Sequence, residues 1–97
     1  MPDHKELIEI TPSSRFKLAS HARLKQDSVR ECMVLLLPEM VIKLNNTSAG
    51  ILSLCDGLCT FEEMIARLKE QFQADEIEND VCDFLNEAAT KGWIEPS

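Results

Sequence analysis

Long apolar runs and an export signal are both missing from this 97-residue chain. The longest unbroken apolar stretch, Cys32 to Leu37, is far shorter than the ~20 residues that a helix needs to cross a bilayer. Charged residues occupy positions 3, 5, 6 and 9, where a signal peptide would need an apolar core. We therefore expect one domain with no membrane association and a cytoplasmic location.

Motifs for catalysis and for metal binding are also missing. The sequence has no P-loop, GxGxxG or HExxH pattern, and it has no Ser-His-Asp or Cys-His arrangement. Cys55 and Cys59 are the one closely spaced cysteine pair, whereas a structural zinc site needs further Cys or His ligands nearby. We expect reduced, buried thiols, no metal, no cofactor and no enzymatic activity. A thiol-dependent enzyme is a weaker alternative, since it would need a reactive cysteine.

Basic side chains are scarce in the C-terminal part. Residues 60–97 hold three of the ten Lys and Arg but ten of the seventeen Asp and Glu, and the whole chain has a net charge of -7. Nucleic-acid binding draws much of its affinity from basic side chains, so we predict no nucleic-acid partner. A modestly basic stretch suits a solvated sheet face or a docking surface for an acidic protein; it comprises Arg15, Lys17, Arg23, Lys25 and Arg30.

The apolar residues that are present change their period near Leu44. From Phe16 to Leu44 they alternate with period two, which predicts strands, and the pair Pro38-Glu39 marks a hairpin turn. Beyond Leu44 the spacing is that of helices.

Three helices are predicted from start and stop signals. Asn45 or Asn46 caps the first helix, which is predicted to end at Gly57. Thr60 and Glu63 form a capping box for the second helix. The third helix is predicted to start in the same way with Asp75 and Glu78 and to stop at Gly92.

The predicted fold is α+β and winged-helix-like, with a three-stranded antiparallel sheet followed by three helices. Residues 1–14 are predicted to form a flexible N-terminal segment, because they show no sustained period. Residues 15–97 are predicted to form a single domain.

The candidate binding site is the edge of the last predicted strand, whose main-chain groups can pair with an extended peptide. Alternation places Met40, Ile42 and Leu44 on one face and Val41 and Lys43 on the other. The apolar side of the third helix would form the second wall of a cleft. The candidate peptide-binding residues are Met40, Val41, Ile42, Lys43, Leu44, Val81, Phe84, Leu85 and Ala88.

A series of short sequence blocks follows in order along the chain. The blocks are Arg23-Leu24, Asp27, Arg30, Val34-Leu35-Leu36-Leu37-Pro38-Glu39, Leu44-Asn45, Ser48-Ala49, Ile51-Leu52, Leu54-Cys55-Asp56-Gly57, Glu63, Ile65, Leu68, Ile77, Asp80-Val81, Phe84-Leu85 and Gly92-Trp93. In their order and spacing they resemble the PqqD family, protein D of pyrroloquinoline quinone biosynthesis, over about residues 15–95. Two departures are Leu37, where the family often has Tyr, and Cys59, where Arg is common.

The resemblance implies a non-catalytic peptide chaperone, a recognition element for ribosomally made and modified peptides (RiPPs). Residues 15–97 would then be the peptide-recognition domain. It would hold the precursor peptide between the third strand and the third helix, and it would present the peptide to a radical S-adenosylmethionine (SAM) enzyme. The iron-sulfur clusters would belong to that enzyme. An open edge strand can also pair between two copies, which makes a homodimer a further hypothesis.

A winged-helix DNA-binding regulator is the alternative from a different functional class, because fold alone does not set function. A DNA reader needs a basic recognition helix. The third predicted helix carries Asp80, Asp83 and Glu87 against Lys91 alone, which favours the peptide.

Overall fold

The computed structural model describes residues 9–29 and 31–97. These residues form six strands and three α-helices in the order ββββ-α-β-α-α-β. The strands are β1 (Arg15–Leu18), β2 (Arg23–Asp27), β3 (Cys32–Leu36), β4 (Val41–Lys43), β5 (Asp56–Thr60) and β6 (Ile94–Pro96). The helices are α1 (Asn46–Ser53), α2 (Phe61–Phe72) and α3 (Glu78–Thr90).

The strands form two antiparallel sheets of three strands each. The meander sheet has the order β2-β3-β4, and the terminal sheet has the order β5-β1-β6. In the meander sheet Leu35 lies opposite both Leu24 and Ile42. Directly opposite residues share a face, so these three side chains lie on the face turned to the core.

The predicted α+β class, the three-stranded sheet and the three helices are confirmed. The predicted order of three strands followed by three helices is wrong, because β5 lies between α1 and α2 and β6 follows α3. The alternation around Phe16 belongs to β1, which pairs with these two strands and lies outside the meander sheet. Strands β5 and β6 are short and form by pairing with β1, which is distant in the sequence, so local periodicity does not reveal them.

The core lies between the sheets and the helices. Gly50 of α1 lies against Phe72 of α2: a Cβ at Gly50 would come within 3.2 Å of the Phe72 ring, which accounts for a glycine inside this helix. Among residues 9–29 and 31–97, no helix combines the length and apolar character that crossing a membrane requires. The largest fully buried side chains are Leu35, Ile51, Leu52, Met64, Leu68, Val81 and Leu85.

The first two helices begin at the predicted caps. The Asn45 side chain accepts a hydrogen bond of 2.7 Å from the Ser48 N–H. The Thr60 hydroxyl accepts from the Glu63 N–H at 3.2 Å, and the Thr60 N–H donates to the Glu63 carboxylate at 3.0 Å, so the capping box is confirmed. Gly57 was predicted to stop α1, but α1 ends earlier and Gly57 lies in β5 with φ +82°.

The third helix begins differently from the prediction and ends as predicted. Its N-cap residue is Ile77, with no side-chain capping bond, and Glu78 instead forms an ion pair of 3.0 Å with Lys69 of α2. At the other end Gly92 has φ +79°, and its N–H donates to Ala89 O while the Trp93 N–H donates to Ala88 O. This pair of bonds is a Schellman motif, which turns the chain sharply after α3.

Residues 1–8 of the predicted N-terminal segment, residues 1–14, lie outside the described residues, as does Arg30 of the basic stretch. Within the described part, the Glu62 N–H donates to Pro12 O at 3.0 Å and the Phe61 N–H donates to Ser14 O at 2.7 Å. The main chain at Pro12 and Ser14 is therefore hydrogen-bonded to the first turn of α2.

Replacing Thr60 by Ala is expected to lower the free energy of unfolding by about 1 kcal/mol, because the first turn of α2 loses its side-chain acceptor. Urea denaturation followed by circular dichroism measures the change. Thr60→Ser keeps a hydroxyl acceptor and is the matched control, expected to stay within about 0.5 kcal/mol of the wild type. Equal losses in both variants would contradict a role for the cap.

Candidate functional site

Strand β4 lies at the edge of the meander sheet. Among the described residues, β4 pairs with β3 and with no other strand. Within residues 9–29 and 31–97, its opposite edge is therefore open to an added strand. This agrees with the sequence prediction that the strand around Ile42 is an edge strand.

The register decides which main-chain groups of β4 face the open side. The Leu37 N–H donates to Met40 O at 2.9 Å, and the Leu44 N–H donates to Met33 O at 3.0 Å. Antiparallel ladders alternate, so Met40, Ile42 and Leu44 direct their main-chain groups toward β3. The N–H and C=O groups of Val41 and Lys43 then point away from the sheet.

A cavity of about 520 Å³ lies beside this edge. It runs from the turn before β4 to the C-terminal end of α3, and we refer to it as the edge groove. The apolar side chains of Met40 and Ile42 contribute to its floor. Its lining residues are His21, Leu37, Pro38, Glu39, Met40, Ile42, Lys91 and Trp93.

The wall opposite β4 is built by the end of α3. The Schellman motif at Gly92 directs Trp93 into the groove, and the Trp93 C=O accepts from the Ala19 N–H at 2.9 Å. The Lys91 ammonium lies 5.0 Å from the centre of the Trp93 ring and forms an ion pair of 3.0 Å with Glu87. The wall thus combines the aromatic surface of Trp93 with the Lys91 ammonium, which is held in place by its ion pair with Glu87.

Comparison with known proteins identifies the family to which this chain belongs. The family described as Coenzyme PQQ synthesis protein D (PqqD) matches residues 32–94. The chain belongs to the PqqD family.

Curated relatives from several bacteria share one name, "PqqA binding protein". A protein of Methylococcus capsulatus named "PqqA binding protein" is 33% identical over 87 residues, covering 90% of this chain and 94% of the relative. Proteins of the same name from Rhodopseudomonas palustris (strain ATCC BAA-98 / CGA009) and Klebsiella pneumoniae are 38% and 41% identical; they match 90% and 74% of this chain and 87% and 79% of their own lengths.

A solved structure has the same fold. It is the solution NMR structure of the PqqD truncation of Methylobacterium extorquens PqqCD, described as a functional and stand-alone RiPP recognition element. The match has a TM-score of 0.73 and 31% identity, and it covers 90% of this chain and 95% of the other. The likeness supports the mixed α/β class of this PqqD-family chain.

The residues in and next to β4 that are predicted to bind a peptide fall into two groups. Met40 and Val41 are 56% and 54% exposed, Lys43 is exposed, and Ile42 is half-buried. Leu44 is buried in the core. The first four are therefore accessible at the strand edge, whereas the Leu44 side chain is occupied by core packing.

The α3 residues predicted to form the second wall are mostly core. Val81, Leu85 and Ala88 are at most 2% exposed, and Phe84 is half-buried against the same core. None of the four lines the edge groove. The structure brings the end of α3 to the groove, in place of its apolar face.

Several groove residues were not predicted as binding residues. The sequence predicts the turn at Pro38-Glu39 and the helix stop at Gly92, but the meeting of Pro38 and Trp93 depends on how the two sheets pack. Ile94 enters the core, while Trp93 stays half-buried in the groove. No sequence pattern marks His21, in the β1–β2 turn, as a groove residue.

The cysteines do not form a metal site among the described residues, where no group of three or more His, Cys, Asp and Glu is placed to hold an ion. Burial, followed by the nearby Asp56 carboxylate, raises the pKa of the Cys55 thiol from 9.0 to about 12. Burial also raises the pKa of the Cys59 thiol. Asp56 accepts hydrogen bonds from the Leu58 and Cys59 N–H groups, which lower its pKa. Neither thiol of the pair is poised as a nucleophile.

The raised pKa of Cys55 predicts a loss of stability in alkali. The unfolded chain ionises this thiol above pH 9, whereas the folded chain keeps it protonated until about pH 12, so the stabilisation is complete below pH 9 and is lost as the pH rises. We expect Cys55 to contribute about 2 kcal/mol of destabilisation between pH 8 and pH 10.5.

Urea denaturation of the wild type and of Cys55→Ala at both pH values measures this contribution. The variant is expected to be less stable at pH 8, because it leaves a small cavity, but to lose less stability on going to pH 10.5. An identical pH dependence in the two proteins would contradict the assignment to Cys55.

Proposed function

We propose that this PqqD-family chain binds the precursor peptide of pyrroloquinoline quinone by adding it as a strand to β4. The observation that carries the proposal is the open edge of β4 beside the edge groove. The relatives' name, "PqqA binding protein", and the recognition-element description of the solved relative support it.

Main-chain bonding supplies the general affinity. An extended peptide can exchange hydrogen bonds with the N–H and C=O groups of Val41 and Lys43, at ~1 kcal/mol net for each bond. Such bonding needs no particular peptide side chain, so it determines where the peptide lies but does not discriminate between peptide sequences.

Selectivity comes from the side chains. Successive side chains of a strand point to opposite faces, so alternate peptide residues would enter the edge groove beside Met40 and Ile42. The ring of Trp93 and the stem of Lys91 suit an apolar or aromatic peptide side chain there.

We infer that the chain performs no reaction and acts as a chaperone in the cytoplasm. The relatives are named for binding, which supports this inference. The bound peptide would pass to a radical SAM enzyme carrying iron-sulfur clusters, as the resemblance implies. A homodimer through β4 would use the same edge, so peptide and second copy would compete for it.

The winged-helix regulator is disfavoured by the surface of α3. Asp80, Asp83 and Glu87 are all exposed on this helix. A recognition helix entering the major groove would place such carboxylates among the phosphates, which would repel them.

Replacing Lys43 by Pro is expected to weaken peptide binding about fivefold, because one outward N–H donor worth ~1 kcal/mol is removed at an edge position that tolerates proline. Trp93 is the chain's one tryptophan and lines the groove, so its fluorescence reports peptide binding directly. A synthetic precursor peptide is titrated into each protein.

Lys43→Ala is the matched control, because it removes the same side chain and keeps the N–H; its affinity is expected to stay within about threefold of the wild type. Circular dichroism verifies that both variants fold. Equal affinities for the proline and alanine variants would argue against strand addition at this edge.

Raising NaCl from 0.1 M to 0.5 M is expected to weaken peptide binding by less than about threefold, because salt screens exposed charges and leaves strand pairing intact. The same Trp93 titration measures the effect. A loss of several orders of magnitude would indicate that charge, and not strand pairing, supplies the affinity.

A further inference from the structure

The meander sheet has a second face, turned away from the core, which the peptide site does not use. The register places Lys25, Val34 and Lys43 in one row across the three strands. It places Arg23, Leu36 and Val41 in the next row. Directly opposite residues share a face, so we refer to these six side chains as the outer face.

The middle of the outer face is apolar and concave. Val34 is 2% exposed although it is not part of the core cluster, so it is covered from its own side of the sheet. A cavity of about 340 Å³ opens above it, lined also by Leu36 and Val41. Val29, at the hairpin tip beside this cavity, is 91% exposed.

The rim of the outer face is basic. Arg23, Lys25 and Lys43 are exposed on it. Two acidic residues lie at the hairpin end: Asp27, which shares the face of Lys25 and accepts a hydrogen bond of 3.0 Å from the Val29 N–H, and the exposed Glu31 in the hairpin turn. The chain as a whole has a net charge of -7, so this face has the opposite sign to the rest of the protein.

We propose that the outer face docks an acidic protein surface with an apolar centre, belonging to the enzyme that modifies the bound peptide. The inference rests on the proposed function. Charge complementarity carries it: three cations around an apolar hollow, on an otherwise acidic chain, orient a partner whose contact surface is acidic.

The pleat of the sheet connects this face to the peptide. A strand added to β4 continues the meander sheet, so alternate peptide side chains enter the edge groove and the others extend the outer face. A partner docked on the outer face would meet those outward side chains. Peptide and enzyme would thus bind at the same time, the peptide along the edge of the sheet and the enzyme on its outer face.

A nucleic acid is a poorer occupant of the outer face. None of its six side chains is aromatic, so bases would have no ring on which to stack. The acidic C-terminal part would also repel a long polyanion.

The test uses Lys25→Glu, with Lys17→Glu as its matched control. Both lysines are exposed on strands and both substitutions change the charge by the same amount, but Lys17 lies in the terminal sheet. The probe is the radical SAM enzyme implied by the resemblance, and calorimetry measures its binding to each variant. We expect Lys25→Glu to weaken enzyme binding at least about fivefold at 0.1 M NaCl, while Lys17→Glu stays within about twofold.

The apolar part is tested with Val29→Ser against Leu58→Ser, which removes another highly exposed apolar side chain, in β5. We expect Val29→Ser to weaken enzyme binding about threefold or more and Leu58→Ser to leave it unchanged. Peptide binding, measured by Trp93 fluorescence, is expected to be unaffected in all four variants.

Equal enzyme affinities for Lys25→Glu and Lys17→Glu would overturn the docking face, and intact peptide binding in the same variants would leave the proposed function standing. If the wild type did not bind the precursor peptide, that result would instead count against the proposed function itself. Tight binding of a single-stranded oligonucleotide, abolished by Lys25→Glu, would overturn the protein partner in favour of a nucleic acid.

Discussion

The arrangement of the site depends on one constraint, the hydrogen-bond register between β3 and β4. Because antiparallel bonds alternate, the bonds at Met40 and Leu44 leave the main chain of Val41 and Lys43 directed outward. The same alternation sends the side chain of Ile42 toward the groove and that of Val41 to the other face. A shift of one residue would exchange these roles, so the short turn at Pro38-Glu39 determines both the polar edge and the apolar floor.

The second wall of the groove follows from how α3 ends. A left-handed residue is needed for the Schellman motif, and Gly92 adopts it without strain. The turn brings Trp93 beside Lys91 and returns the chain to β6, where Ile94 lies opposite Leu18. A single glycine therefore connects the end of α3, the terminal sheet and the edge groove.

Local signals predicted those features that local physics decides. The capping box at Thr60 and Glu63 and the stop at Gly92 depend on residues within a few positions of each other, and both were predicted correctly. Asp75 offered the same kind of cap signal, but Glu78 pairs with Lys69 on another helix. Strands β5 and β6 exist through pairing with β1, and the division of α3 into core and surface depends on packing. These features need the tertiary structure, so the edge was predictable from the sequence whereas the groove wall was not.

In the proposed complex, the peptide adds a strand to β4 through the outward main-chain groups of Val41 and Lys43. Amide hydrogen exchange, measured by NMR with and without the precursor peptide, tests this pairing at those two positions. We expect the Val41 and Lys43 amides to become strongly protected when the peptide binds, while the Ile42 amide, already bonded to β3, changes little. Unchanged exchange at Val41 and Lys43 in a saturated complex would contradict it.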